Sequence, residues 1–399
     1  MKEEHKFLKG ALCGALAMLC VVAAVSGIKN TASASLGLIP ISKEDQKEEL
    51  PEEKLKVIRE VMDRYYLHAD EIDEEALMEG ICAGYVSGLG DPYSSYYTEE
   101  EAKELLQGIS GEYSGIGAAL SRNNETNIVT ITNVYEDSPA EEAGMEEGDI
   151  LYQVDEHEVT GEDLNQVVAW IKGEEGTEVK LHVVRDSEEL ELTAVRRMIE
   201  VQTVTYEMKD SQIGYIRVSE FDTVTYEQFK DALNALDKEG MQGLVIDLRS
   251  NPGGNLTSVL NMLGQILPEG TIVTTENRDG KDEEYYCDGT HEFKKPLAVL
   301  VNGYSASASE IFSGAVQDYG KGKIVGTTTY GKGVVQEVLG LSDGSYLKIT
   351  VSEYFLPSGR SIDKIGITPD VEVKYEPNEE DEKADNQLDK AIEVVREEL

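Results

Sequence analysis

Two rhythms alternate along this chain. Short apolar runs rich in branched residues, each bounded by glycine, proline or asparagine, read as buried strands. Stretches with apolar residues three or four apart read as helices. The clearest strand is Leu297–Val301 (LAVLV), set between Pro296 and Asn302-Gly303. A helix pattern follows it, carried by Ile311, Phe312, Ala315 and Val316, with Gly320 as its stop. The same order occurs upstream: QIGYIRV (212–218) as a strand, a helix over 226–236, GLVIDL (243–248) as a strand, the turn RSNPGGN, and a helix over 256–267. Strand alternating with helix predicts an α/β core over residues 201–375.

Elsewhere the rhythm changes. From Glu52 an amphipathic helix carries Leu55, Ile58, Val61, Met62 and Tyr65 on one stripe, and a second carries Ala76, Leu77, Gly80, Ile81, Gly84 and Tyr85. Together they predict a helical N-terminal region over 51–98, ending in DPYSSYYT. Residues 111–197 read as a separate module of five or six strands. In it SGIG (114–117) precedes an alternating strand, a short helix starts at Pro139, and a helix over 162–171 has Leu164, Val167, Val168 and Ile171 on one face. Alternation at Val179, Leu181, Val183 and at Leu190, Leu192, Ala194 closes the module. Residues 376–399 read as an acidic linker and one helix marked by Leu388, Ile392 and Val395.

The first 28 residues stand apart. No charge occurs from Gly10 to Ile28, and Lys2, Lys6 and Lys9 precede that run. As a helix it would reach about 28 Å, close to the roughly 30 Å hydrocarbon core of a bilayer. The flanking lysines predict an inside N-terminus, with the rest of the chain on the extracytoplasmic side of the cell membrane after one pass. A cleavable signal peptide is the rival reading, Ala32-Ser33-Ala34 offering small residues for a cut. Residues 29–50 are then a polar tether.

Charge narrows the partners. The chain has 36 basic against 78 acidic residues, a net −42. Such a surface repels nucleic acid, so no nucleic-acid partner is expected. The five histidines (His5, His68, His157, His182, His291) show no ligand spacing and no C-x-x-C occurs, so neither a metal nor a cofactor is expected. Cys13 and Cys20 fall in the apolar segment. A Cys82–Cys287 bridge is the one disulfide left open.

Candidate chemistry gathers between residues 301 and 336. Ser307 sits where a strand turns into a helix, and the first amides of a helix have no internal partner. Those donors suit a developing negative charge. Lys332 opens an alternating segment, GKGVVQ, which on a strand would put Lys332, Val334 and Gln336 on one face. A lysine partly desolvated there loses basicity; moving it from about 10.4 to near neutrality takes about 4 kcal/mol. A neutral amine can then take the serine proton, with Gln336 orienting it. Two other readings compete. Ser307-Ala308-Ser309-Glu310 also fits an S-x-x-E capping box. GTTTYGKG (326–333) nearly spells a phosphate loop, but Gly333 stands where the metal-binding hydroxyl is needed.

SASASEIFSGAVQD followed by TYGKGVVQ resembles the active-site signature of the carboxyl-terminal processing, or tail-specific, serine protease family. DPYSSYYT, PSGR and GITPD resemble further landmarks in the family's order. The module over 111–197 resembles a PDZ domain, with Tyr113 in place of the usual phenylalanine before SGIG. The resemblance implies a multidomain α/β protein: a crotonase/ClpP-like protease core with an inserted PDZ domain and a helical N-terminal region. It implies Ser307 as nucleophile, Lys332 as general base and Gln336 as its partner, without cofactor or metal. The serine-to-lysine interval selects Ser307 over Ser305 and Ser309. The oxyanion donors it implies are the amides of Gly253, with Gly254 the lesser choice, and Ala308. Gly115, Ile116 and Gly117 would hold the carboxylate of an apolar C-terminal tail, glycines letting consecutive amides converge on it. A homodimer through the N-terminal helices is also implied. The alternative function is a catalytically silent scaffold that binds tails through its PDZ groove.

Overall fold

The computed structural model describes residues 51–399, apart from 124–125, 210–211, 281, 379–380 and 382–383. The apolar segment over 10–28 and the tether lie outside the described residues. Among the described residues, no helix is long and apolar enough to cross a membrane.

The chain forms two compact units dividing after Glu74. The first holds helix α1 (Pro51–Tyr65) and a 3-10 turn at Ala69–Glu71. Within this unit Arg59 pairs with Asp63 at 2.7 Å, one turn on in α1, and with Glu74 beyond the 3-10 turn. The expected apolar stripe of α1 is present but uncovered: Ile58, Val61 and Tyr65 are exposed. Helix α2 (Glu74–Ser87) likewise buries none of its residues.

A short strand β1 (Ser95–Tyr97) follows, then α3 (Glu99–Ser110), started by a Thr98–Glu101 capping box. Strand β2 (Glu112–Gly115) leads into the expected small module. Its strands are β3 (Ala118–Arg122), β4 (Val129–Val134), β5 (Ile150–Val154), β6 (His157–Glu158), β7 (Glu178–Arg185) and β8 (Glu188–Val195), with α4 (Pro139–Glu142) and α5 (Leu164–Ile171) between them. The sheet order is β3-β4-β5-β7-β8, with β6 on β5, and every pairing is antiparallel. Val179, Leu181 and Val183 alternate into a core with Val167 and Ile171, as the pattern required. Helix α5 starts at Leu164 rather than 162, because Asp163 caps it by accepting the Asn165 N–H. Strand β9 (Arg197–Glu200) pairs back onto β2, so the chain enters and leaves the module side by side.

The core then begins: β10 (Val204–Lys209), β11 (Ile213–Val218), α6 (Thr225–Lys238), β12 (Gly243–Asp247), α7 (Leu256–Leu263), β13 (Gly270–Asn277), β14 (Asp282–Cys287), β15 (Leu297–Val301), α8 (Ala308–Asp318), β16 (Lys323–Gly326), β17 (Val334–Gly340), β18 (Tyr346–Phe355), β19 (Val371–Glu372) and α9 (Asn386–Glu397). One six-stranded sheet has the order β10-β11-β12-β15-β16-β19, parallel except at β10. Alternate residues of β12 and β15 enter two different cores: Leu244, Ile246, Leu297 and Val299 on one face, Val245, Ala298 and Leu300 on the other. Burial on both faces explains why these strands read as unbroken apolar runs. Residues of α6, α7 and α8 cover the first face and residues of α9 the second. Helix α7 ends at Leu263, short of the expected 267: Gly264 caps it, and the Gln265 and Ile266 amides bond back three residues to Met262 and Leu263.

A second, antiparallel sheet was not evident from local pattern. Its order is β1-β18-β13-β14, with β17 also on β18. Ser95 pairs with Lys348 and Tyr97 with Tyr346, which brings the end of the N-terminal region against the strand pair β17–β18. Cys82 and Cys287 are both free, so no bridge joins them.

Candidate active site

Ser307 is half-exposed and flanked by buried Ala306 and Ala308 at the end of the turn between β15 and α8. Its φ of 54° and ψ of −114° are costly for a residue with a side chain. The three serines that composition leaves equivalent have different partners. Ser305 Oγ donates to the Leu248 carbonyl at 2.8 Å, and Ser309 Oγ donates to the Asn251 carbonyl at 3.0 Å. Both are buried and tie the turn to the loop after β12. Ser307 and Glu310 form a capping box, the Glu310 N–H donates at 2.8 Å to the Ser307 carbonyl, and the Ser307 hydroxyl makes no cap hydrogen bond of its own. Of the three serines, Ser307 alone is half-exposed.

Lys332 lies just before β17, on a loop that folds against residues 363–364. Lys364 N–H donates to the Gly331 carbonyl at 2.8 Å, and a Cβ on Gly333 would come within 2.6 Å of the Asp363 nitrogen. The loop, and not strand alternation, therefore sets the lysine's direction. Two buried side chains join it to the serine turn. Glu310 Oε2 accepts the Ser307 N–H and the Lys332 N–H, each at 2.9 Å. Tyr354 Oη donates to the Lys332 carbonyl at 2.7 Å and reaches the Ser307 carbonyl at 3.3 Å. Burial pushes the Tyr354 phenol well above its ordinary value, so it stays a donor.

The Lys332 ammonium sits over the Tyr93 ring, 4.8 Å from its centre. Burial pushes the lysine below its ordinary value and Lys348 adds to this, while Asp91 and Glu310 oppose it. Gln336 stands on β17, where its Nε2 donates to Thr350 Oγ1 at 3.1 Å. Its amide nitrogen is thus committed to Thr350 here.

The NPGG loop packs directly on the serine turn. A Cβ on Gly253 would lie 2.7 Å from the Ala306 carbonyl oxygen, 2.8 Å from Ser307 Cβ and 2.9 Å from the Ala308 nitrogen. Only glycine allows this approach. The Gly253 N–H, however, donates to the buried Asn251 Oδ1 at 2.8 Å, whereas Gly254 is exposed. Among the described residues, the Ala308 N–H has no backbone acceptor. Sequence reasoning passed over Asn251, which also donates from Nδ2 to the Val218 carbonyl at 2.9 Å.

In the small module Gly115, Ile116 and Gly117 are buried at the junction of β2 and β3. The Ile116 and Gly117 carbonyls accept from Ala140 at 2.8 Å and Tyr135 at 3.0 Å. Their own N–H groups carry no backbone hydrogen bond among the described residues. Strand β3 has β4 on one side only and is the sheet's edge. Free amides beside an open edge suit a chain end added as a further strand.

The family model described as peptidase family S41 matches residues 212–373, the segment that carries this turn, loop and lysine. A CtpA-like serine protease of Staphylococcus haemolyticus is 35% identical over 364 residues, covering 90% of this chain and 72% of that protein. The chain belongs to peptidase family S41. A CtpA-like serine protease of Staphylococcus epidermidis is 37% identical over 325 residues, covering 80% of this chain. This chain spans 65% of that relative's length. A PDZ domain model matches residues 130–185, and a model described as the activating protease CtpB N-terminal domain matches 11–101. A solved S41 protease structure from Bacteroides fragilis superposes with a TM-score of 0.50 at 17% identity, covering 86% of this chain and 97% of that one. The fold is thus that of S41 peptidases with a PDZ domain and N-terminal helices.

Several site residues had no signal that marked them as chemical. Glu310 was legible as a helix cap, but not as the ligand of the lysine loop. Tyr354 and Thr350 sit in an ordinary strand. Tyr93 and Asp91 lie in DPYSSYYT, a segment conspicuous in the sequence but without an assigned task.

Proposed function

We propose that this S41 chain is a serine endopeptidase of the carboxyl-terminal processing type. Ser307 acts as nucleophile, Lys332 as general base and Gln336 as its partner, on proteins whose apolar C-terminal tails are held at residues 115–117. The observation that carries this reading is the shared stapling of serine and lysine. One carboxylate oxygen, Glu310 Oε2, accepts both backbone amides, so the two nitrogens lie no further apart than the sum of its two bonds. The relatives' names support the same class.

In this mechanism the neutral Lys332 amine removes the Ser307 proton as Oγ attacks the scissile carbonyl. The Ala308 N–H and an amide of the 253–254 pair would receive the oxyanion; losing one such donor typically costs about 10²–10³ in rate. Lys332, now protonated, donates to the leaving amine, then acts as base for the water that releases the acyl group. The lysine must be neutral to start, so kcat/KM rises with pH through its pKa. Burial moves that limb below the ordinary lysine range.

Two further parts rest on sequence and exposure. Residues 10–28 would anchor the chain by one pass, with the catalytic part on the extracytoplasmic side. Release of the chain from membranes by alkaline carbonate would count against this. The exposed stripe of α1 suits a second copy of the chain, and a monomer by sedimentation at micromolar concentration would remove that part.

The decisive test incubates the full-length protein in detergent with an unfolded reporter ending in an apolar tail, read by mass spectrometry. Ser307→Ala and Lys332→Ala should each lower cleavage by about 10⁴-fold or more, with tail binding kept. Cleavage by Ser307→Ala at the parent rate would sink the nucleophile assignment. Tail binding without cleavage by the parent would leave the scaffold reading standing.

A further inference from the structure

The segment 91–98 crosses the site from outside the protease core, and nothing in the reaction above uses it. Asp91, Tyr93 and Ser94 turn toward the lysine, and Ser95 to Tyr97 are fixed as β1 against Lys348, Leu347 and Tyr346. Asp91 Oδ2 accepts Ser94 Oγ at 2.5 Å, and Oδ1 accepts the Tyr93 N–H at 3.0 Å. Ser94 Oγ in turn accepts the Thr350 N–H at 3.1 Å. Thr350 Oγ1 accepts from Gln336 Nε2 at 3.1 Å. The Tyr93 ring turns its face to the Lys332 ammonium, 4.8 Å from the ring centre.

From this arrangement we infer that Tyr93 is a positioning residue for the catalytic pair: its ring seats the Lys332 amine. The inference rests on the Ser307–Lys332 reading of the site. Its physical basis is that an aromatic ring does two things to an amine beside it. It excludes water, which favours the neutral form. Its face also attracts the cation, which fixes where the ammonium rests after proton transfer. Lys332 is turned toward neutrality overall, burial being the first cause, and the Tyr93 ring is part of what covers it. The other charged or titratable groups around it are Lys348 on β18, Glu310 on α8 and Asp91. Tyr330 and Asp363 stand behind Tyr93. The Asp91 carboxyl is pushed up by burial, yet bonds from Ser94, Thr350 and the Tyr93 N–H, with Lys332 nearby, hold it below the ordinary carboxylate value. It therefore remains a charged acceptor at neutral pH.

The test is the pH profile of kcat/KM for full-length parent, Tyr93→Ala, Tyr93→Phe and Tyr93→Leu on the tailed reporter. Tyr93→Ala admits water to the amine, and its acid limb should move up by about one pH unit or more, roughly a tenfold loss near pH 7 per unit. Tyr93→Phe keeps the ring and should keep the parent's limb. Tyr93→Leu keeps cover without a ring face, and its limb should stay as low as the parent's or move lower. A Tyr93→Ala profile with the parent's limb, whatever its height, overturns the inference, and so does a Tyr93→Phe limb that moves as far as that of Tyr93→Ala. A parent-like thermal melt of each variant shows that it has folded. Labelling of Ser307 by a fluorophosphonate, in parent and Lys332→Ala, separates the two levels. Equal labelling would remove the serine–lysine reading and this inference with it. Labelling lost in Lys332→Ala, beside an unmoved Tyr93→Ala limb, would remove this inference alone.

Discussion

Glu310 is fully buried, and its carboxylate is surrounded by donors: the amides of Ser307, Gly331 and Lys332 and the Thr329 hydroxyl, at 2.5–2.9 Å. All four point inward, and the two oxygens of the side chain accept them. In Glu310→Gln one oxygen becomes an NH₂ facing donors, and those donors lose their acceptor. Hydrogen bonds to charged groups contribute about 1.5–3 kcal/mol each. We expect Glu310→Gln to lower unfolding stability by about 2–4 kcal/mol and to reduce kcat with little change in KM. Urea titration and steady-state kinetics check this; unchanged kcat in a destabilised protein would make Glu310 a fold residue only. The sequence showed this glutamate as the last letter of S-x-x-E, because capping is a local pattern. Its other donors come from Thr329 to Lys332, a contact that no local spacing announces. The turn that carries Ser307 was legible because its strand, turn and helix are consecutive, while the choice of Ser307 within it came from the family's serine-to-lysine interval. What set it apart from Ser305 and Ser309 is that those two bond to the loop after β12, which is remote in sequence.

At the scale of elements, the parallel strands were legible because burial on both faces writes itself as a continuous apolar run. The antiparallel sheet was not, since β1 joins β18 across most of the chain. The loop between β11 and α6 shows what such remote packing does to charge. Phe221 there clamps the NPGG loop, its N–H donating to the Gly253 carbonyl at 2.9 Å and its carbonyl accepting from Asn255 at 2.5 Å. Beside it Asp222 is buried against Gly111, where a Cβ would come within 2.8 Å of Asp222 Cβ. Burial first, and Glu220 second, push the Asp222 carboxyl up to about 6. Its unfolded value is about 3.9, so the folded state holds this proton more tightly. Asp222 therefore favours the fold below about pH 4, and that benefit is lost as pH rises to about 6. Asp222→Asn removes the dependence. Thermal melts should show the variant more stable than the parent at pH 8 and near the parent at pH 4. A gain of equal size at both values would show that charge burial is not the cause.

On the scale of the whole molecule, the PDZ module is an insertion with its own core, and the chain enters and leaves it on the adjacent strands β2 and β9. A module attached this way can lose its ligand without disturbing the serine turn. Gly117 offers the means to test that independence. Its φ is +78°, and a Cβ there would fall 2.5 Å from Ser138 Cβ, at the residue that caps α4. Gly117→Ala therefore combines backbone strain with a clash, and the amides at 116 and 117 must move. Recognition of a carboxylate by converging amides depends on their direction, so tail affinity should fall by about tenfold or more, about 1.4 kcal/mol. The rate of fluorophosphonate labelling at Ser307 should stay at the parent's value, because Glu310, Tyr354 and the NPGG loop hold that turn without help from the module. Isothermal titration with an apolar-tailed peptide reads the first quantity, and labelling kinetics on the same preparation read the second. Parent-like affinity would take the carboxylate away from residues 115–117. A fall in both would mean that the 115–117 loop reaches the serine turn even in the absence of a tail, and that the two sites are one cooperative unit.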